Sequence, residues 1–132
     1  MSSLEFPEKG ILWRGWNDQT LGFVQEKNRP VFLFVADSDP LVAPFLTAIL
    51  KAMPGNEKLR HLLHEFFPAV FIEADSVPEN LRSFGAGNGF HIAVLSPTGF
   101  NPMITFDPVS GSPEKVVDEI VMDLERLRKV WT

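Results

Sequence analysis

Two carboxylates and a hydroxyl stand in a row at Asp37-Ser38-Asp39, directly after an apolar run and directly before Pro40 and Leu41. An imidazole placed beside them would open two chemistries. Ser38 with His91 would be a nucleophile and its base, and the two aspartates with His91 could hold a divalent cation. A plainer reading exists: Asp39 is the N-cap of a helix, Pro40 its first residue, and Asp37-Ser38 the polar turn leaving the strand. No Gly-x-Ser-x-Gly elbow accompanies the serine, so nucleophilic catalysis lacks a second support and the plainer reading is preferred. An anion such as glutathione could use a helix N-terminus here, although both aspartates would repel it.

His61 and His64 lie one helical turn apart with Glu65 beside them. The order is His-Leu-Leu-His-Glu, not the His-Glu-x-x-His of zinc proteases, and no third ligand is identifiable, so a solvated helix flank is expected and no metal is assigned. Gly85-Ala86-Gly87-Asn88-Gly89 has a phosphate-loop composition. It precedes a strand, however, instead of leading from a strand into a helix, and is read as a flexible connector. Trp13 and Trp16 are read as covering an edge of the chain's own core, not as an anchor for a partner. These sets imply neither a catalytic residue nor a cofactor.

None of the 132 residues is cysteine. The thiolate is the nucleophile of disulfide exchange, so that reaction is excluded, together with disulfide and cysteine–metal staples. Hydrophobic residues make up 45% of the chain, with twelve Phe and three Trp. That suffices for one domain spanning residues 1–132, its core over 11–131. A net charge of −5 with no long basic run argues against a nucleic-acid partner. The longest apolar stretch, Val31 to Ala36, has the length of a strand, so no membrane span is expected. Met1–Lys9 lacks the basic start and apolar centre of a secretory leader, which makes a cytoplasmic protein the expectation.

The elements that would position these residues follow from periodicity and punctuation. A helix runs from Asn17 or Asp18 to near Asn28, with Leu21, Val24 and Phe23 facing inward. Val31 to Val35 is an unbroken apolar strand, the pattern of a strand covered on both faces. After Asp39-Pro40, Val42, Phe45, Leu46, Ile49, Leu50 and Met53 recur at helical spacing up to Pro54-Gly55; Pro44 either kinks this helix or delays its regular part. Glu57 to Phe66 is a further helix and Ala69 to Ala74 a second buried strand. Ser76-Val77-Pro78-Glu79 opens a short helix as a capping box. His91 to Leu95 and Pro102 to Phe106 form a hairpin around Ser96-Pro97-Thr98-Gly99. Ser112-Pro113-Glu114 caps a final helix with Val117, Ile120, Val121, Leu124 and Leu127 on one face.

Trp13-Arg14-Gly15-Trp16, then Leu21, then Asn28-Arg29-Pro30-Val31-Phe32-Leu33, resembles a recurring opening of bacterial thioredoxin-like domains. Ala74-Asp75, Phe84-Gly85 and Val94-Leu95-Ser96-Pro97-Thr98-Gly99 match later landmarks. The chain is most similar to the thioredoxin-like domain at the front of spermatogenesis-associated-type proteins, and is similar to the C-terminal domain of transmembrane thiol–disulfide interchange proteins. The resemblance implies an α/β, three-layer thioredoxin-like fold, with a mixed central sheet (a parallel pair plus an antiparallel hairpin) flanked by helices. It also shows what is missing. The family's two cysteines fall on Pro40 and Ala43, its buried acid near Phe34, its lysine near Phe71, and its groove-lining cis-proline on Phe90. A cis peptide before Phe90 would cost about 3 kcal/mol without proline, so a trans bond is expected.

The resulting expectation is a redox-inactive binding or assembly module for a protein or peptide. Its candidate groove comprises Asp37, Ser38, Asp39, Pro40, Leu41, Ala43, Phe90 and His91, apolar with neighbouring aspartates and suited to a peptide with basic flanks. The alternatives are a cysteine-independent, glutathione-linked enzyme relying on Ser38 in the same cleft, and a structural homodimer assembled through Trp13, Trp16 or Trp131.

Overall fold

The computed structural model describes residues 10–131. Met1–Lys9, read above as lacking a secretory leader, and Thr132 lie outside the described residues. Five strands form one mixed sheet in the order β1 (Trp13–Arg14), β3 (Ala69–Glu73), β2 (Val31–Ala36), β4 (Ile92–Leu95), β5 (Pro102–Phe106). β1, β3 and β2 are mutually parallel, while β4 runs antiparallel to β2 and β5 antiparallel to β4. Five α-helices accompany them: α1 (Asp18–Lys27), α2 (Ala43–Ala52), α3 (Glu57–Glu65), α4 (Glu79–Arg82) and α5 (Pro113–Val130). No helix among the described residues is long and apolar enough to cross a membrane.

The continuous apolar character of β2 has the expected cause. Successive side chains point to opposite faces of a sheet, and here each face meets a separate apolar cluster. Phe32 and Phe34 pack with Leu46 and Ile49 of α2, Leu59, Leu62 and Leu63 of α3, and Val117, Ile120 and Leu124 of α5. Val31, Leu33 and Val35 pack with Val24 of α1, Leu81 of α4, Val70, Ile72 and Phe90. Trp13 lies against Phe32, Phe34 and Phe71, with centroids 6.3, 5.9 and 5.7 Å apart, and Trp16 meets Phe100 edge-on at 5.0 Å. Both indoles cover the chain's own core.

Local signals set several helix ends. Asn17 Oδ1 accepts from Thr20 N–H at 2.9 Å to cap α1, and Asn28 closes it in the left-handed region at φ 54°. Ser112 Oγ accepts from Lys115 N–H at 3.1 Å to cap α5. Three expectations need correction. α4 spans only Glu79–Arg82, and the residue before it is Pro78, not a capping Ser76, which lies in a 3₁₀ turn at Ala74–Ser76. The 85–89 segment is no open connector: Gly85 O accepts from the N–H groups of Asn88, Gly89 and Phe90, and Gly87 N–H donates to Phe90 O. Gly85 and Gly87 hold φ of 107° and 81°, which admit this tight loop because they lack a Cβ. The third correction concerns α2.

Candidate functional site

Two of the predicted site residues meet. His91 Nε2–H donates to Asp37 Oδ2 at 2.9 Å, with side chains 13% and 18% exposed. The backbone sets up this meeting. Asp37 follows β2 directly and His91 precedes β4 directly, and Val35 N–H donates to His91 O at 2.7 Å. The antiparallel β2–β4 ladder is thereby carried to the residues that form this hydrogen bond. The pair latches the end of β2 to the start of β4.

Beyond Asp37 the chain makes two local turns before any helix. Asp37 Oδ1 accepts from Asp39 N–H and Asp39 Oδ1 accepts from Leu41 N–H, both at 3.0 Å. Asp39 O then receives the N–H groups of Val42 and Ala43. Short side-chain-to-backbone bonds of this kind compete with helix formation. α2 consequently begins at Ala43, three residues after the expected Pro40, and Val42 in place of Asp39 is its N-cap residue, with no side-chain capping bond. Pro44 neither kinks nor breaks the helix: it sits in the first turn, where a missing N–H costs nothing.

These turns spread out the other candidates. Ser38, Asp39 and Pro40 are exposed and Ala43 is partly buried. Leu41 is 82% exposed, whereas Phe90 is only 9% exposed and belongs to the apolar cluster around Leu33 and Val35. The peptide before Phe90 is trans, since no cis bond occurs among the described residues. Ser38 Oγ makes no hydrogen bond among the described residues, and the imidazole's Nε2–H goes to Asp37. Ser38 therefore has no adjacent base in this arrangement.

Asp37 and Ser38 also line an open crevice of about 450 Å³ with Ala36, Glu73, Ala74 and Asp75. It lies outside the carboxyl ends of the adjacent parallel strands β2 and β3, the usual place for ligands in open α/β sheets. Sequence reasoning missed Glu73 and Asp75 as members of this surface. The available signal was topological: residues leaving two neighbouring parallel strands emerge side by side. The Asp37 carboxyl is held below its ordinary range, first by the Asp39 N–H and next by the His91 hydrogen bond. No group of three or more His, Asp or Glu able to hold a metal occurs among the described residues. His61 instead faces Glu65 at 3.4 Å and Glu57 at 3.8 Å along its own helix.

The chain matches no protein-family model and no curated protein sequence.

Proposed function

We propose that the chain is a redox-inactive, thioredoxin-like binding module whose partner docks at the carboxyl end of β2 and β3. The reading rests first on the strand order β1-β3-β2-β4-β5, with three parallel strands, an antiparallel hairpin and a helix leaving β2, in a chain without cysteine. Phe34 and Phe71 supply further support. Where the resemblance would put a proton-relaying acid and a lysine, they form a stacked pair, centroids 5.9 Å apart and planes within 5°, across the β2–β3 register. A hydrocarbon pair carries no protons.

The single observation that carries the docking surface is its combination of charge and exposure. Asp37, Glu73 and Asp75 surround the crevice, and Leu41 stands in solvent close by in sequence. An extended peptide with a basic flank and an apolar residue complements that surface. Shape adds nothing polar-specific, so affinity would rest on one apolar anchor and screened charge.

Amide chemical-shift mapping with a short Lys/Leu peptide, a Glu/Leu counterpart and glutathione tests this. The expected result is saturable shifts at residues 36–41, 73–75 and 90–92 with the basic peptide alone, lost in Leu41→Asp. Equal responses to both peptides, or none, would remove the surface. Shifts with glutathione at residues 37–41 and 89–92 would put the transferase reading in its place, and concentration-dependent sedimentation would favour the homodimer.

A further inference from the structure

A second concentration of charge lies at the opposite end of the sheet. Arg14 ends β1, Lys27 ends α1 and Arg29 stands two residues before β2; with Phe23 and Phe66 they line a cleft of about 190 Å³. The cations sit on the rings. Arg14 and Lys27 lie 4.3 and 5.8 Å from the Phe23 centroid, and Arg29 and Arg128 lie 4.2 and 5.4 Å from that of Phe66.

Part of this accumulation has a structural cause. Helix C-termini carry unpaired carbonyls and partial negative charge, which attract cations, and Arg29 Nη1–H donates to Glu65 O at 3.2 Å at the end of α3. That bond uses one N–H of one guanidinium. Among the described residues no carboxylate lies within 4.0 Å of Arg14, Lys27, Arg29 or Arg128. Glu65, the one carboxylate lining the cleft, is turned to His61 at 3.4 Å. In a chain with 17 acidic and 12 basic residues, three cations lining one cleft with a single carboxylate among its walls reverse the overall balance of charge. A cation attracted by a ring face still has N–H donors to offer an oxyanion.

We propose that this cleft binds a phosphate group, as the free ion or as the head of a small phosphomonoester. Three converging cations exceed what one carboxylate neutralises, whereas a phosphomonoester carries about −1.5 to −2 at neutral pH. Arginine forks match its oxygens. The volume falls below the roughly 300 Å³ where drug-sized ligand pockets begin, which favours a compact head group. The inference is independent of the docking surface at the other end.

The test is an amide and arginine side-chain shift titration with inorganic phosphate at ionic strength held constant with chloride. Methyl phosphate and acetate are titrated in parallel. Saturable shifts confined to residues 12–14, 23–29 and 63–66 are expected, with about tenfold weaker binding in the Arg14→Gln/Lys27→Gln double variant. Arg29→Lys, which keeps the charge and loses the fork, should weaken binding several-fold. Methyl phosphate binding at least as tightly as phosphate assigns the site to an ester, and phosphate alone assigns it to the free ion. No saturable shift in the wild type, an unchanged titration in all variants, or acetate binding as tightly as phosphate would overturn the proposal.

Discussion

At the carboxyl end of the parallel strands, Asp37, Glu73 and Asp75 surround a crevice, and Asp37 is held by a backbone N–H and an imidazole. At the amino end, Arg14, Lys27 and Arg29 surround a smaller cleft and rest on phenyl rings. The difference follows from how the parts run. α1 and α3 each precede a parallel strand, β2 and β3, so both helices deliver their C-termini to the amino end of the sheet. Carbonyl ends recruit cations, whereas the segment leaving β2 carries carboxylates, Asp37 and Asp39, that accept from N–H groups two residues on. One end thus ties Asp37 and Asp39 into its own turns while Glu73 and Asp75 line its crevice, and the other holds cations in excess of what its carbonyls use.

Four substitutions sharpen that contrast, beginning with the largest effect. Phe90, 9% exposed, should cost about 3 kcal/mol when changed to Ala, by urea unfolding. Leu41→Ala, at a residue 82% exposed, should stay within about 0.5 kcal/mol. Equal costs would show that the two do not divide into core and surface. At the basic end, Trp131 Nε1–H donates to Asn28 O at 2.7 Å and ties α5 to the end of α1. Trp131→Phe should lose about 1 kcal/mol in the same measurement; no change would mean the α1–α5 tie is not held by that bond. A small effect, about 0.5 kcal/mol, is expected at Asp37→Asn, which breaks a partly exposed pair. Because the folded carboxyl titrates below its ordinary 3.8, its contribution is present above that value and lost as pH falls through the lower folded one. The stability gap between wild type and Asp37→Asn should therefore close in acid; a gap that widened there would contradict the stabilised Asp37 carboxylate.

Much of the fold was legible because the informative signals were local. The unbroken run at 31–35 announced a strand covered on both faces, and Asn17, Asn28 and Ser112 are helix boundaries readable from side-chain chemistry. β1, two residues long, carries too little pattern for a periodicity to register. The start of α2 misled for a physical reason: Asp39-Pro40 can either cap a helix or close a turn, and the bonds to Leu41, Val42 and Ala43 chose the turn. Of the candidate site, the position of residue 91 beside the 37–39 segment was anticipated, whereas the plainer reading left the imidazole unpaired with it. The partner atom was not: Asp37 takes the imidazole and Ser38 does not.

Taken by itself, the sequence determined that these 132 residues supply no thiol, that β2 is interior and that α1 and α5 begin at short polar caps. These depend on residue types and on neighbours a few positions apart. Only the tertiary structure decided that an acidic chain with no basic run carries a basic cleft, because Arg14, Lys27 and Arg29 come from three elements or their edges and converge through strand pairing and helix packing. The same holds for Asp37 and His91, 54 positions apart in the chain and 2.9 Å apart in space.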